Sequence, residues 1–215
     1  MPVDVGLKKE GRIYQREQYA KGGIGVAYWD YRDRSAFRYV RGETILDIGC
    51  GEGITLEKLM RAFPEKQIIG IDAEPENIEI CRQRGLPIVP GNIYHFPFTD
   101  ASVDCVLFLD VIEHLSEPKK ALAEIKRILR PGGRLIIIFP NDVMFKIARI
   151  MTGMIREAFY DSGHVMQWAP GKARRSLHAL GFSIVAAHNL PFMLWPVSLH
   201  HLCVADKDIG SNVTT

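Results

Sequence analysis

The run Thr44-Ile-Leu-Asp47-Ile-Gly49-Cys-Gly51-Glu-Gly53 takes an apolar strand straight into alternating glycines and then into a helix that begins near Ile54. Glycines at 49, 51 and 53 let the backbone turn sharply and approach a ligand, and the start of the helix aims unpaired N–H groups at the same place. This predicts a cradle for a nucleotide-type cofactor. It is not the dinucleotide turn G-x-G-x-x-G, because the third glycine comes one residue early and Ile54 stands where the last glycine belongs. It is not a P-loop either, since no Gly-Lys-Ser or Gly-Lys-Thr follows. Asp47, at the strand end, would repel a pyrophosphate but suits an ammonium, so the spacing favours a cofactor with a cationic group.

A second short β-branched run, Gln67-Ile-Ile-Gly-Ile71, ends in Asp72, and a helical pattern starts near Pro75. Asp72 lies 23 residues beyond Gly49. An acid at the tip of the second strand, about 20 residues after a glycine turn, is placed to accept both hydroxyls of a ribose. The two acids together imply a nucleoside that carries an amino-acid-like cation.

Strand and helix patterns then alternate. Strands are expected near 44–48, 67–71, 87–90, 103–109 and 133–139, with helices near 53–62, 75–84 and 117–130. The last of these helices has Ser116 as candidate cap, Pro118 in its first turn, a stripe of Leu122, Ile125 and Leu129, and Gly132 beyond its end. Residues 8–40 read as helical and aromatic, and a helix near 171–180 leads into runs at 182–188 and 197–205. Such alternation requires an α/β fold, a parallel sheet with helices on both faces and ligands outside the carboxyl ends of the strands. At 215 residues and 47% hydrophobic content, a single domain can bury its own core. Its expected parts are an N-terminal helical cap (1–41), a cofactor-binding core (42–140), a substrate-side insertion (141–170), and a final helix and hairpin (171–206).

In order and spacing, Ile45 to Gly53, Asp72, Gly91-Asn92-Ile93, Asp104 to Leu109 and Leu129-Arg-Pro-Gly-Gly133 resemble the motifs of class I S-adenosylmethionine-dependent methyltransferases. The likeness covers residues 42–140 and is strongest to the small-molecule type 11 branch, which includes ubiquinone-biosynthesis O-methyltransferases. It implies a Rossmann-like, doubly wound, seven-stranded and mostly parallel sheet with an antiparallel C-terminal strand. It also implies S-adenosyl-L-methionine as cofactor. By the resemblance Asp47, Gly49, Cys50 and Gly51 surround the methionine moiety, and Asp72 takes the ribose hydroxyls. Ala73, Asn92 and Ile93 flank the adenine, with Asn92 standing where the family usually has Asp. The carbonyl of Leu109 faces the cofactor's ammonium.

The formal charge of +2 is no nucleic-acid signature, although residues 1–41 hold nine Lys or Arg against five acids. Cysteines at 50, 81, 105 and 203 show no C-x-x-C spacing, and neither a signal peptide nor a membrane-length apolar run is evident. A reduced, cytoplasmic chain is expected, with a small-molecule acceptor as its partner.

The acceptor side is read from fewer signals. Residues 144–156 have apolar residues at helical spacing with Lys146, Arg149 and Arg156 around them. They suit either a helix packed on the core or a lid over an apolar acceptor that contacts a membrane surface peripherally. Asp110-Val-Ile-Glu113-His114 matches the acidic-x-x-Glu-His sequence at which the ubiquinone-type relatives are thought to bind a divalent metal. The resemblance therefore offers Asp110, Glu113 and His114 as a metal set, beside a metal-free reading in which His114 accepts a proton or positions the acceptor. His164, in a Gly-His-Val-like sequence, is the second candidate catalytic residue. His200 and His201 alternate across an expected strand and require no role. The functional expectation is in-line methyl transfer to a small-molecule acceptor, with an apolar or lipid-like one among the options and with O, N or C open as the methylated atom. The rival is a methyltransferase-like subunit that binds a partner protein without catalysis.

Overall fold

The computed structural model describes residues 15–151, 153 and 164–209. Within them a seven-stranded sheet has the order β3-β2-β1-β4-β5-β7-β6. β1 (Thr44–Ile48), β2 (Gln67–Asp72), β3 (Ile88–Pro90), β4 (Val103–Leu109) and β5 (Leu129–Pro140) run parallel. β7 (His200–Lys207) lies antiparallel between β5 and β6 (Phe182–Leu190), which is the expected antiparallel C-terminal element.

The sheet is buried on both faces because successive side chains point to opposite sides. Leu46, Ile48, Val106, Phe108, Leu135, Ile137 and Phe139 form one core with α5 (Pro118–Ile128) and α7 (Pro170–Ala179). Ile45, Cys105, Leu107, Ile136 and Ile138 form the other with α3 (Ile54–Ala62) and Ala36 of α2 (Ile24–Phe37). Two helical layers on a parallel sheet make the fold doubly wound, and the strand order reverses between β1 and β4, where such folds bind ligands. All four cysteines are free and buried, and no helix of the described residues is long and apolar enough to cross a membrane.

Several boundaries differ from the sequence expectation. The N-terminal cap is two helices, α1 (Gln15–Lys21) and α2, because Gly22 and Gly23 both have positive φ and break the helix; residues 8–14 lie outside the described part. α5 ends at Ile128, two residues before the expected 130, and β5 starts at Leu129, four before the expected 133, because Leu129 turns extended to pair with Val103. Ser116 does not cap α5: Glu117 is the flanking residue, and the Ser116 hydroxyl lies 3.4 Å from the Tyr94 hydroxyl. In the insertion, α6 spans Asp142–Met151, and the rest of the expected 144–156 helix, apart from Gly153, is outside the described residues.

Candidate functional site

The glycine turn sits at the carboxyl end of β1 and is pinned to β2, where the N–H groups of Gly49 and Cys50 both donate to the Ile71 carbonyl at 2.8 and 3.1 Å. Gly49 has φ +71, and a Cβ there would lie 2.5 Å from the Val111 side chain, so the backbone conformation and the packing both demand glycine. Asp47 is 3% exposed, and its Oδ2 has no hydrogen-bond partner. Burial, and then the charge of Asp33, push its carboxyl up to about 7. A buried carboxylate oxygen left unpaired beside a backbone cradle fits a ligand that brings a cation.

Asp72 stands across the turn. Its Oδ2 accepts the Gly51 N–H at 2.8 Å, and its Oδ1 accepts from Glu74 N and Asn77 Nδ2 at 2.9 and 3.1 Å. These bonds lock the carboxylate at the lip of the cradle and leave lone pairs for hydroxyl donors. Ala73 follows it directly, before α4 (Pro75–Gln83). Asn92 is more occupied than expected: its Oδ1 closes its own turn by accepting the Tyr94 N–H at 2.9 Å. Ile93 packs against the core, and Leu109 is 8% exposed at the end of β4. The Cys50 side chain is buried, with its Sγ 3.9 Å from the Gly51 carbonyl, so only its backbone belongs to the turn.

Glu52, within the turn, reaches out to the N-terminal cap. Its carboxylate accepts the backbone N–H groups of Gln15 and Arg16 at 2.8 and 3.3 Å, holding the start of α1 over the cradle.

At the end of β4 the structure departs from the metal set that the resemblance offered. Asp110, with φ +54, is bound by Arg32 of α2 and lies 3.2 Å from His200 Nε2 of β7. Burial opposes its charge, but His200 and Arg32 outweigh that and hold the carboxyl well below the usual carboxylate range. His200 Nδ1 is 2.7 Å from the Tyr28 hydroxyl, so a continuous polar network joins α2, β4 and β7. Asp110 is thereby withdrawn from Glu113 and His114.

His164 takes its place. Glu113, His114 and His164 offer ligand atoms that all lie within 4.8 Å of one another, a set that could hold a divalent ion. The two imidazoles meet edge to face at 4.7 Å, and Nε2 of each is 4.0 Å from Glu113 Oε1. Glu113 is 1% exposed, and neither of its carboxyl oxygens has a hydrogen-bond partner. Burial, reinforced by the Asp110 charge, pushes it up to about 9 and keeps it protonated near neutrality. His164 Nδ1 is 2.7 Å from Asp142 Oδ1, at the start of α6, which fixes the ring and leaves Nε2 facing Glu113.

Arg32, Glu52, Asp142 and His200 were not singled out from the sequence. Only Glu52 carried a signal, its place inside the glycine turn. The others reach the site from α2, α6 and β7, and His200, read as needing no role, is 2% exposed and held at both ring nitrogens.

Comparison with known proteins agrees with this geometry. Residues 46–137 match the family model described as a methyltransferase domain. The chain is 33% identical over 146 residues to a protein of Mycolicibacterium smegmatis named as a probable S-adenosylmethionine-dependent methyltransferase, covering 67% of this chain and 51% of that one. It is 34% identical over 107 residues to a fatty-acid O-methyltransferase of the same organism, covering 48% of this chain and 39% of the relative. The chain spans about half the length of the curated relatives it matches. In fold it is similar to a SAM-dependent methyltransferase from Archaeoglobus fulgidus, with a TM-score of 0.69 at 17% identity over 89% of this chain and 98% of that one. Residues 46–137 therefore match a methyltransferase domain, the chain has the fold of S-adenosylmethionine-dependent methyltransferases, and a domain and fold of that kind imply S-adenosyl-L-methionine as the cofactor.

Proposed function

We propose that this chain transfers a methyl group from S-adenosyl-L-methionine to a small, apolar or lipid-like acceptor. The observation that carries the reading is the unpaired, buried Asp47 Oδ2 beside the glycine turn, a receptor for the ammonium of an amino-acid-bearing nucleoside. Asp47, Gly49, the Cys50 backbone and Gly51 would hold the methionine end, Asp72 the ribose, and Ala73, Asn92 and Ile93 the adenine, while the Leu109 carbonyl faces the ammonium. When bound, the cofactor supplies a sulfonium methyl that is already activated for displacement.

The protein's own task is then alignment and removal of a proton. His164, with Nδ1 directed at Asp142, takes the proton of an acceptor hydroxyl on Nε2, and His114 beside it positions that hydroxyl. With Glu113 neutral, Asp142 is the carboxylate that acts on the imidazole pair. The apolar acceptor class is supported by the relative named for fatty-acid O-methylation. It is also supported by exposed apolar residues on α6, where Val143, Ile147, Ile150 and Met151 follow the Asp142 that holds His164.

Calorimetric titration with S-adenosylmethionine, S-adenosylhomocysteine and NAD, repeated on Asp72→Ala, tests the cofactor half. Binding of the first two alone, lost in the variant, is expected. A folded protein that binds neither would move the reading to a partner-binding, non-catalytic subunit.

A further inference from the structure

A cavity of about 410 Å³ opens between the start of α5 and α7, a volume in the range of small-molecule sites. Pro118, Met166 and Trp168 give it an apolar wall. Trp168 is 2% exposed and packs on Phe139 with ring centroids 6.1 Å apart, so this wall is continuous with the core and does not collapse into the groove. Its Nε1–H has no hydrogen-bond partner, an exception for a buried indole.

The rim is cationic. Lys119 and Lys172 line the cavity and pair with no carboxylate among the described residues, whereas Lys120 is matched by Glu117 at 2.6 Å. Lys172 Nζ sits 4.8 Å over the Trp168 ring, which holds its charge at the apolar wall. The positive end of α5 adds to the same field.

The groove is lined by chain neighbours of the proposed acceptor residues. The Glu113 carbonyl accepts the N–H groups of Val165 and Met166 at 2.9 and 3.1 Å, so the segment that forms the apolar wall is fastened to the residue preceding His114. Ser116, which also lines the cavity, is two residues beyond His114.

We propose that this groove binds the body of the acceptor and selects an apolar molecule bearing one carboxylate or phosphate, with the anion on Lys119 and Lys172 and the methylated atom at the His114 and His164 end. The inference rests on the methyltransferase reading and adds to it that the acceptor is anionic at a point remote from the reacting atom. Desolvation of the chain against Trp168 and Met166 supplies attraction, and the two ammonium groups distinguish an anion from a neutral molecule of the same length.

The test is calorimetric titration of the whole chain with dodecanoate, dodecyl phosphate and dodecanol below their aggregation limits, with S-adenosylhomocysteine titrated on the same samples. At least one anion is expected to bind tenfold or more tightly than the alcohol, the tighter one identifying the head group. The Lys119→Glu, Lys172→Glu double variant is expected to lose that preference and keep nucleoside binding. Lys119→Gln, on the exposed start of α5, serves as a milder variant and should weaken the anion alone. Equal binding of anion and alcohol, no binding of either anion, or an unchanged preference in the variants would overturn the proposal. If nucleoside binding persists in those cases, the groove reading alone fails; if it is absent in the wild type, the methyltransferase reading fails first.

Discussion

Replacing Asp47 with Asn removes one buried charge at constant volume, and the structure sets opposite signs for its effects on stability and on cofactor binding. Burial and Asp33 raise the Asp47 carboxyl from 3.8 to about 7 in the free protein. A folded-state value above the unfolded one means that the contribution to stability is complete below pH 3.8 and is lost as pH rises through 7. The shift of about three pH units, at 1.36 kcal/mol each, makes ionised Asp47 a burden of up to about 4 kcal/mol at pH 8. Asp47→Asn should therefore raise the thermal midpoint of the ligand-free protein at pH 8. Cofactor binding needs the carboxylate, so wild-type affinity should be about fivefold weaker at pH 6 than at pH 7, and about tenfold weaker again at pH 5. Over that range the cofactor's α-amino group, titrating at about 7.7 or above, stays mostly protonated. The variant should bind weakly at every pH and show no such slope. Calorimetry in buffers of different ionisation enthalpy measures both the slope and the proton released. A wild-type affinity flat from pH 5 to 7, or a variant that titrates like the wild type, would refute the assignment of Asp47 to the ammonium.

Gly49→Ala forces an L side chain to φ +71 with its Cβ 2.5 Å from Val111, and should cost at least about 1–2 kcal/mol in thermal denaturation as well as abolish nucleoside binding. Asp142→Asn replaces the carboxylate that holds the His164 ring through Nδ1; turnover of a hydroxyl acceptor should drop at least tenfold in kcat with KM for the nucleoside unchanged. Ile137→Ala, in the core beneath α5 and 1% exposed, should lower stability by about 2–5 kcal/mol in denaturant titration without changing nucleoside affinity measured on the folded protein.

The glycine cradle was legible because its residues are local. Asp47, Gly49 and Gly51 occupy one turn, Asp72 ends the neighbouring strand, and parallel strands joined by helices bring consecutive strand ends to the same edge. Strand identity was equally legible: β1 and β4 have the expected limits, since an apolar run of β-branched residues bounded by charge and glycine has few other solutions. Helix ends were less so, because Leu129 continues the apolar stripe of α5 and only its pairing with Val103 turns it into strand.

The acceptor side was another matter. His114 and His164 stand 50 positions apart in the chain, and their meeting over Glu113 depends on the Glu113 carbonyl capturing Val165 and Met166. Asp110 sits three residues from Glu113 yet is drawn away by Arg32, 78 positions earlier, and by His200, 90 positions later. What the sequence alone determined is the βα framework and the cradle, both built from neighbours in the chain. The pairing of buried charges across α2, β4, α6 and β7 was decided only by the tertiary structure, because a charge shut away from water must take whichever partner the packing places beside it.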